Sequence, residues 1–324
     1  VNLSEKGELL IVEEIRRKFP SNSRIKVGIG DDAAVFAPKS NLALTTDMMM
    51  EGVHFDLSYI SPFQLGFKLI SVNVSDIYAM GGKPLFALLS MALRADMEYI
   101  FFKKFMEGIK EASELYKISL IGGDISSTVS SLALCATLIG EVKNPIKRSG
   151  AKIGDNIYIT GELGLSSAGL ELLKKIKRPI DLEKPINKPL KWDIMKPLLR
   201  SHLMPIAVEP SGLRDVNSMI DISDGLLIDL SRLCKESNLG AIIYEELIPL
   251  SPALRKTADY LGKDPLEFAL SGGEDYELLF TSKKTQKNAI KIGTITKNGL
   301  YIIGKDGKKR PIKARGYEHF ETQT

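Results

Sequence analysis

Histidine is scarce in this 324-residue sequence, which has three, and cysteine is scarcer, with two. Cys135 and Cys234 stand in apolar periodic stretches without paired or metal-ligand spacing, so neither a disulfide framework nor a thiolate metal site is expected; both read as buried free thiols in a reducing compartment. No run approaches the roughly 18 consecutive apolar residues that a spanning helix needs. The longest apolar stretches lie near 85–93 and 132–140, and no membrane partner is expected. The start of the sequence shows no charged-then-apolar leader pattern, which makes the cytoplasm the expected location. A formal net charge of +4 is small for this length and implies no nucleic-acid partner. The one dense basic run, KDGKKRPIKAR at 305–315, reads as a solvated hairpin turning at Asp306-Gly307 after strand-like Tyr301, Ile302 and Ile303. A phosphate loop built on lysine is also missing.

At 44% hydrophobic and 26% charged residues the composition is globular, and the length suits roughly two domains of about 150 residues. Helices are predicted from Ser4 to the stop at Pro20, from the Ser61-Pro62 cap to Gly81-Gly82, and over 98–116. Apolar strands are predicted at 42–45, 86–91 and 132–139. Turn residues around Asn144-Pro145 break the pattern, which puts a domain boundary there, with domains at 1–145 and 146–324. The proline-rich segment 179–210, which holds the lone Trp192, reads as a crossing loop with a short helix. Strands at 156–160, 219–222, 241–244, 276–281 and 291–296 alternate with helices in the second half. The expected fold class is therefore α/β (α+β), with two mixed α/β domains.

What the sequence does have is aspartate in glycine- and hydroxyl-rich settings: Asp31-Asp32, Asp47, Asp76, Asp124 and the pair Asp221/Asp224. Such carboxylates offer oxygen ligands without bulk, as a hard cation such as Mg²⁺ prefers. In GIGDDAAVF (28–36) two adjacent carboxylates repel unless a cation lies near them, although an acidic surface turn is the plain alternative. In TTDMMMEGVHF (45–55) two hydroxyls precede Asp47, the methionines suit packing, and His54 is either a structural hydrogen-bonder or a substrate contact. Asp76 lies near the end of the second predicted helix, where the macrodipole disfavours an anion, so Lys83 or a metal must compensate; Asn73 shares its face.

After strand-like 119–121, Gly122-Gly123-Asp124 exposes amides that can cradle phosphate beside a metal-binding carboxylate. Arg148 either clamps a phosphate or faces solvent. In MIDISDGLLIDL (219–230) Asp221 ends a strand, Ser223 can cap the next helix and Asp224 falls in its first turn. In ALSGGEDYELLF (269–280) a glycine turn carries Glu274 and Asp275 into a strand.

Together GIGDDAAVF, TTD with His54, NVSDIYAMGG, IGGD, RSGA, IDISDGL and LSGGEDYEL, in this order over nearly the whole sequence, resemble the thiamine-monophosphate kinase family of the aminoimidazole ribonucleotide synthetase superfamily. The resemblance implies a homodimer whose N-terminal strands form a β-barrel across the pair, a C-terminal mixed sheet with helices, and ATP with several Mg²⁺ ions in the cleft between the halves. It implies Asp32, Thr45, Thr46, Asp47, Asp76, Asp124, Asp221 and Asp224 as metal ligands, Asp31 being only the neighbour of the matching Asp32. Gly123, Arg148 and Ser223 would contact ATP; His54, Glu274 and Tyr317 would contact thiamine monophosphate. The expected reaction is direct in-line transfer of the γ-phosphoryl group, without a general base. Rival superfamily members fit less well: selenophosphate synthetase calls for a reactive cysteine near the N-terminus, and the hydrogenase-maturation relatives for a cysteine-bearing tail. A non-catalytic nucleotide or thiamine-phosphate sensor is the rival of another class.

Overall fold

The computed structural model describes residues 8–20, 23, 25–27, 29 and 35–317. The Ser4 cap, Asp31 and Asp32 lie outside them. Contacts divide the chain into two units: the first runs to Asn144 and takes in Lys177–Ile180, and the second comprises Pro145–Ile176 and continues from Asp181.

The first unit opens with α1 (Glu8–Lys18) and a small antiparallel pair, β1 (Ile25–Val27) and β2 (Val35–Phe36). Its main sheet holds β3 (Asn41–Met50), β4 (Lys83–Arg94), β5 (Ser119–Thr128) and β6 (Ala133–Val142) in the order β3-β6-β4-β5. Helix α2 (Pro62–Ala79) lies on this sheet and α3 (Tyr99–Tyr116) lies on α2. α2 begins where the sequence places it, because Ser61 Oγ accepts from the Gln64 amide (3.3 Å) while Gln64 Oε1 accepts from the Ser61 amide (3.0 Å). That reciprocal pair satisfies two donors that a helix start leaves unpaired. Most of α2 is buried, from Gln64 to Ala79 with only Asp76 half-exposed between them.

Strand alternation assigns the two faces of the sheet. Thr45, Asp47 and Met49 share a face with Ala87, Leu89, Ala136 and Leu138, the face that α2 covers. Leu44, Thr46 and Met48 point the other way, with Thr137, Cys135 and Ser90. There β1 and β2 cover one end, where Phe36 meets Phe86 at 4.9 Å between ring centroids beside Ile25 and Ile139. The remainder is open: Leu44 is 65% exposed and Met48 57%. Cys135 is half-buried on this face, not buried as expected, whereas Cys234 is buried.

β5 differs from its expected extent, because the strand does not stop at Ile121 but continues through Gly122-Gly123-Asp124 to Thr128, its pairing with β4 shifting register opposite Ala87 and Leu88. Gly123 abuts β4, and a Cβ there would lie 2.0 Å from the Leu89 carbonyl oxygen. Close pairing of two parallel strands therefore accounts for this glycine before any ligand does.

In the second unit a seven-stranded mixed sheet has the order β13-β12-β9-β11-β7-β10-β8. Its strands are β7 (Asn156–Ile159), β8 (Val216–Asp221), β9 (Gly240–Tyr244), β10 (Leu278–Ser282), β11 (Ile290–Thr296), β12 (Leu300–Ile303) and β13 (Lys309–Pro311). The neighbours are antiparallel except β12 with β9. β12 and β13 form the hairpin expected around Asp306-Gly307. Helices α4 (Leu165–Ile176), α5 (Trp192–Leu203), α6 (Leu226–Ser237), α7 (Pro252–Leu261) and α8 (Pro265–Ser271) complete the unit.

Ile157, Ile159, Ile220, Leu226, Leu230, Ile243 and Leu279 form its core, and burial of each such side chain contributes roughly 1.5–3 kcal/mol. α5 arises inside the proline-rich segment, carrying Pro197 within it. It crosses α4 so closely that a Cβ on Gly169 would sit 2.2 Å from the Leu198 carbonyl oxygen. Among the described residues no sheet closes on itself.

Candidate functional site

In the first unit the elements gather part of the acidic set. The Thr45 hydroxyl donates to Asp76 Oδ2. Asn73, one turn earlier on α2 and fully buried, accepts the Asp47 amide at 3.1 Å through Oδ1 and donates to the Leu69 carbonyl at 3.0 Å through Nδ2. Thr45, Asp47, Asn73 and Asp76 thus occur together where β3 passes over the last turns of α2. Asp76 receives a hydroxyl there, which answers in part the unfavourable end of the helix dipole.

Two expected ligands of this unit stand elsewhere. Thr46 faces the open side, its Oγ1 3.0 Å from Thr137 Oγ1 and 3.2 Å from Cys135 Sγ. Asp124 is opposite Ser90, Ser90 opposite Cys135, and Cys135 opposite Met48, so Asp124 shares the open face with Met48. It is also three strands from Asp47, about 14 Å at the usual spacing. Within one chain the sheet keeps Asp124 apart from the Asp47 and Asp76 group. His54 caps its own turn: Nδ1 accepts the Met50 amide at 3.0 Å, and its amide donates to the Met50 carbonyl at 2.9 Å.

In the second unit three distant motifs meet at the exit of β8. Asp221 ends β8, only 3% exposed. Beyond it the Glu274 amide donates to the Ser223 carbonyl (2.7 Å), the Tyr276 amide to the Ile222 carbonyl (2.9 Å) and the Tyr317 amide to the Asp224 carbonyl (3.0 Å). Backbone hydrogen bonds thus bring Glu274 and Tyr317 to the Ser223-Asp224 segment. Glu274 and Tyr276 have φ of +64° and +52°, a left-handed backbone rare for residues with side chains. Asp275 lies between them, and its buried carboxyl accepts from the Gly164 amide (2.7 Å) and the Ser166 amide (3.4 Å) at the start of α4. Burial, with the Glu277 and Glu274 carboxylates nearby, pushes its pKa up to about 8 against the pull of those amides. Arg148 is exposed, and its carbonyl accepts from the Ser237 hydroxyl at 3.0 Å.

The start of α6 corrects one expectation. The helix begins at Leu226 after Gly225, so Ser223 does not cap it and Asp224 precedes its first turn. The cap is Asp229, whose Oδ2 accepts the Asp224 and Gly225 amides at 3.1 Å each. Arg232 bridges both acids, 2.5 Å from Asp224 Oδ2 and 2.8 Å from Asp229 Oδ1. Burial and the neighbouring Asp224 carboxylate push the Asp229 pKa up to about 6. Asp229 and Arg232 were not singled out from sequence, although an acid four residues after Gly225, followed by arginine at i+3, was the available signal. His202 was missed too, for it lies in a segment read mostly as loop.

The donors assembled here are oxygens. Among the described residues no three His, Cys, Asp or Glu side chains cluster to hold an ion by themselves. Mg²⁺ does not require such a cage: it takes one or two carboxylates and fills its octahedron with water and phosphate oxygens. Asp76 with Thr45, and Asp47 beside them, fit that demand.

Comparison with known proteins bears on the identity. Residues 30–142 match the family model of the AIR synthase related protein N-terminal domain, and 152–313 that of the C-terminal domain. The thiamine-monophosphate kinase of Aquifex aeolicus (strain VF5) is 39% identical over 329 residues, covering 99% of this chain and all of that protein. The chain belongs to the thiamine-monophosphate kinase family. Its membership makes it an enzyme, and the fold agrees. A solved structure described as AaThiL complexed with AMPPCP and TMP superposes with a TM-score of 0.76 at 37% identity, covering 99% of each chain. The thiamine-monophosphate kinase from Stenotrophomonas maltophilia K279a gives 0.79 at 30% identity, covering 92% of this chain and 96% of that one. Among the described residues no helix is long and apolar enough to cross a membrane.

Proposed function

We propose that this enzyme uses ATP and Mg²⁺ to convert thiamine monophosphate to thiamine diphosphate by direct in-line transfer of the γ-phosphoryl group. The observation that carries the proposal is the junction at the exit of β8, where backbone hydrogen bonds tie the segments of Ser223-Asp224, Glu274 and Tyr317 together from three separate parts of the sequence. The relative with both an ATP analogue and TMP bound supports the two substrates.

In the first unit, Thr45, Thr46, Asp47, Asp76 and Asp124, with Asp32 outside the described residues, are the proposed metal ligands; Gly123 is the proposed nucleotide contact and His54 a substrate contact. In the second unit Asp221 and Asp224 are metal ligands, Arg148 and Ser223 serve ATP, and Glu274 and Tyr317 serve thiamine monophosphate. Since Thr46 turns its side chain away from Asp47 and Asp76, its carbonyl is the group proposed to serve with them. Asp224 is held by Arg232, so ligation there exchanges or shares a charge partner already in place.

Chemistry explains why carboxylates dominate. The acceptor is a phosphate monoester whose second pKa near 6 leaves it mostly dianionic at neutral pH, so its oxygen is nucleophilic without a base. A bond forms between that oxygen and the γ-phosphorus while the bond from the γ-phosphorus to the β,γ-bridging oxygen breaks, and ADP leaves with the electron pair. Bound Mg²⁺ would supply charge neutralisation for two polyanions held close together. The chain's own part is to orient: backbone ties at Ser223 and Asp224 set Glu274 and Tyr317, and α2 sets Asp76 against β3.

The open face of the first unit's sheet supports a homodimer. Leu42, Leu44 and Met48 are exposed on edge strand β3, and apolar side chains in a row on an edge invite a second sheet. Closure of two such sheets into a barrel is the proposed assembly, and the cytoplasm is the proposed location. The deciding experiment incubates the protein with ATP, Mg²⁺ and thiamine monophosphate and looks for thiamine diphosphate. Absence of product at every Mg²⁺ concentration would favour a sensor, and a trapped phosphoprotein would exclude direct transfer.

A further inference from the structure

His202 lies near the end of α5, 3% exposed, with Nδ1 3.0 Å from Glu274 Oε2 and 3.1 Å from Ser166 Oγ on α4. Three features make this contact more than a chance one. The close crossing of α4 and α5 at Gly169 fixes the helix that carries the ring. The backbone of Glu274 is held on both sides, by its own amide on the Ser223 carbonyl and by the Asp275 carboxyl on the first amides of α4. The Glu274 side chain is 29% exposed, so its carboxylate has a buried side at His202 and a side within reach of solvent.

An ionised carboxylate only accepts, so the ring atom facing it must carry the proton; Nδ1–H therefore donates to Glu274, with Ser166 Oγ as its second neighbour. A carboxylate has about four acceptor positions, and one such bond fixes its orientation while using one of them.

We infer that His202 is a positioning residue, holding the Glu274 carboxylate in the orientation that receives the organic cation of the substrate. This rests on the proposal that Glu274 contacts thiamine monophosphate. The carboxylate calls for a ligand group that is positively charged or donates N–H, which the proposed substrate carries on its organic part. ATP binding does not involve this contact, and an uncharged phosphate acceptor gains nothing from it.

The test compares Glu274→Gln, His202→Leu, His202→Asn and His202→Gln, measuring KM and calorimetric Kd for thiamine monophosphate and for ATP, together with kcat. His202→Leu is expected to weaken thiamine monophosphate at least tenfold while the ATP values stay within about twofold. His202→Asn, which keeps an N–H close to the Nδ1 position, recovers most of the loss; His202→Gln, whose donor is one methylene further out, recovers less. The Glu274→Gln/His202→Leu double variant is expected to be no weaker than Glu274→Gln alone.

Unchanged thiamine monophosphate affinity in the His202 variants, with Glu274→Gln impaired, overturns the positioning role and leaves the role of Glu274 standing. Additive losses in the double variant, or equal losses for both substrates, also overturn it. If Glu274→Gln itself binds normally, the assignment of Glu274 falls and this inference with it. Should His202→Leu fold poorly in a thermal melt, the order Asn above Gln decides in its place, and equality of the two counts against the proposal.

Discussion

Asp275 offers a test in which structure and titration predict different things for two substitutions. Its carboxyl is buried at the start of α4, and its pKa is raised to about 8. In the unfolded chain the same group titrates near 3.9. Between about pH 4 and pH 8 the native state therefore keeps a proton that the unfolded state has released, and stability falls as pH rises through that window. At about 1.4 kcal/mol per pH unit the ceiling over four units is on the order of 5 kcal/mol, a figure in which the pull of the two amides toward the anion is already included.

Asp275→Asn keeps an acceptor for the amides and has no proton to lose. In urea unfolding it is expected to match the parent near pH 5 and to exceed it by about 2 kcal/mol or more at pH 8. Asp275→Leu leaves the Gly164 and Ser166 amides unpaired, at about 1–3 kcal/mol each, and is destabilised at every pH. A difference between parent and Asn variant that stays constant from pH 5 to 8 would refute the reasoning.

Asp47→Asn is expected to depress turnover by orders of magnitude without changing the melting temperature by more than a few degrees, since its amide bond to Asn73 is a backbone contact; near-normal rates at low Mg²⁺ would remove the metal role. Gly123→Ala drives a Cβ into the Leu89 carbonyl and is expected to cost about 3 kcal/mol in denaturant unfolding, and a neutral result would show that β4 and β5 can separate there. Leu44→Asp together with Met48→Asp places two charges on the open face of β3. Sedimentation should then show monomers where the parent shows dimers, and an unchanged dimer would move the interface elsewhere.

Local signals in the sequence carried the helices and strands where one element's own chemistry decides its ends. Ser61, Pro62 and Gln64 suffice to start α2, and Asp306-Gly307 suffices to turn β12 into β13. What was hidden depends on partners distant in sequence. Gly122-Gly123 looks like a phosphate cradle until β4 lies against it, and then the missing side chain of Gly123 is what lets the parallel pair close. α5 forms in a proline-rich stretch because α4 and α7 cover its apolar side. The cap of α6 comes from Asp229 within the helix, where a rule that looks before the helix does not reach. Motif matching names candidate acids but not the faces they occupy: β3 and β5 present Asp47 and Asp124 on opposite sides of one sheet, a consequence of register alone.

The histidines bear on the chemistry in a way that can be measured. Of the three, His54 and His202 are described, and each is engaged locally: His54 Nδ1 accepts the Met50 amide, and His202 Nδ1 faces Glu274 and Ser166. A general base must be within reach of the proton it removes. With a phosphate monoester as acceptor no such base is required, because the dianion already predominates above about pH 6. The acidic limb of kcat/KM should then belong to the substrate and fall near pH 6. His54→Asn is expected to lower the height of the profile and leave that limb where it is, since the substitution alters a contact and not the nucleophile. If the limb instead disappears with His54, the ring is taking a proton in the reaction, and in-line transfer to a self-sufficient dianion is the wrong mechanism.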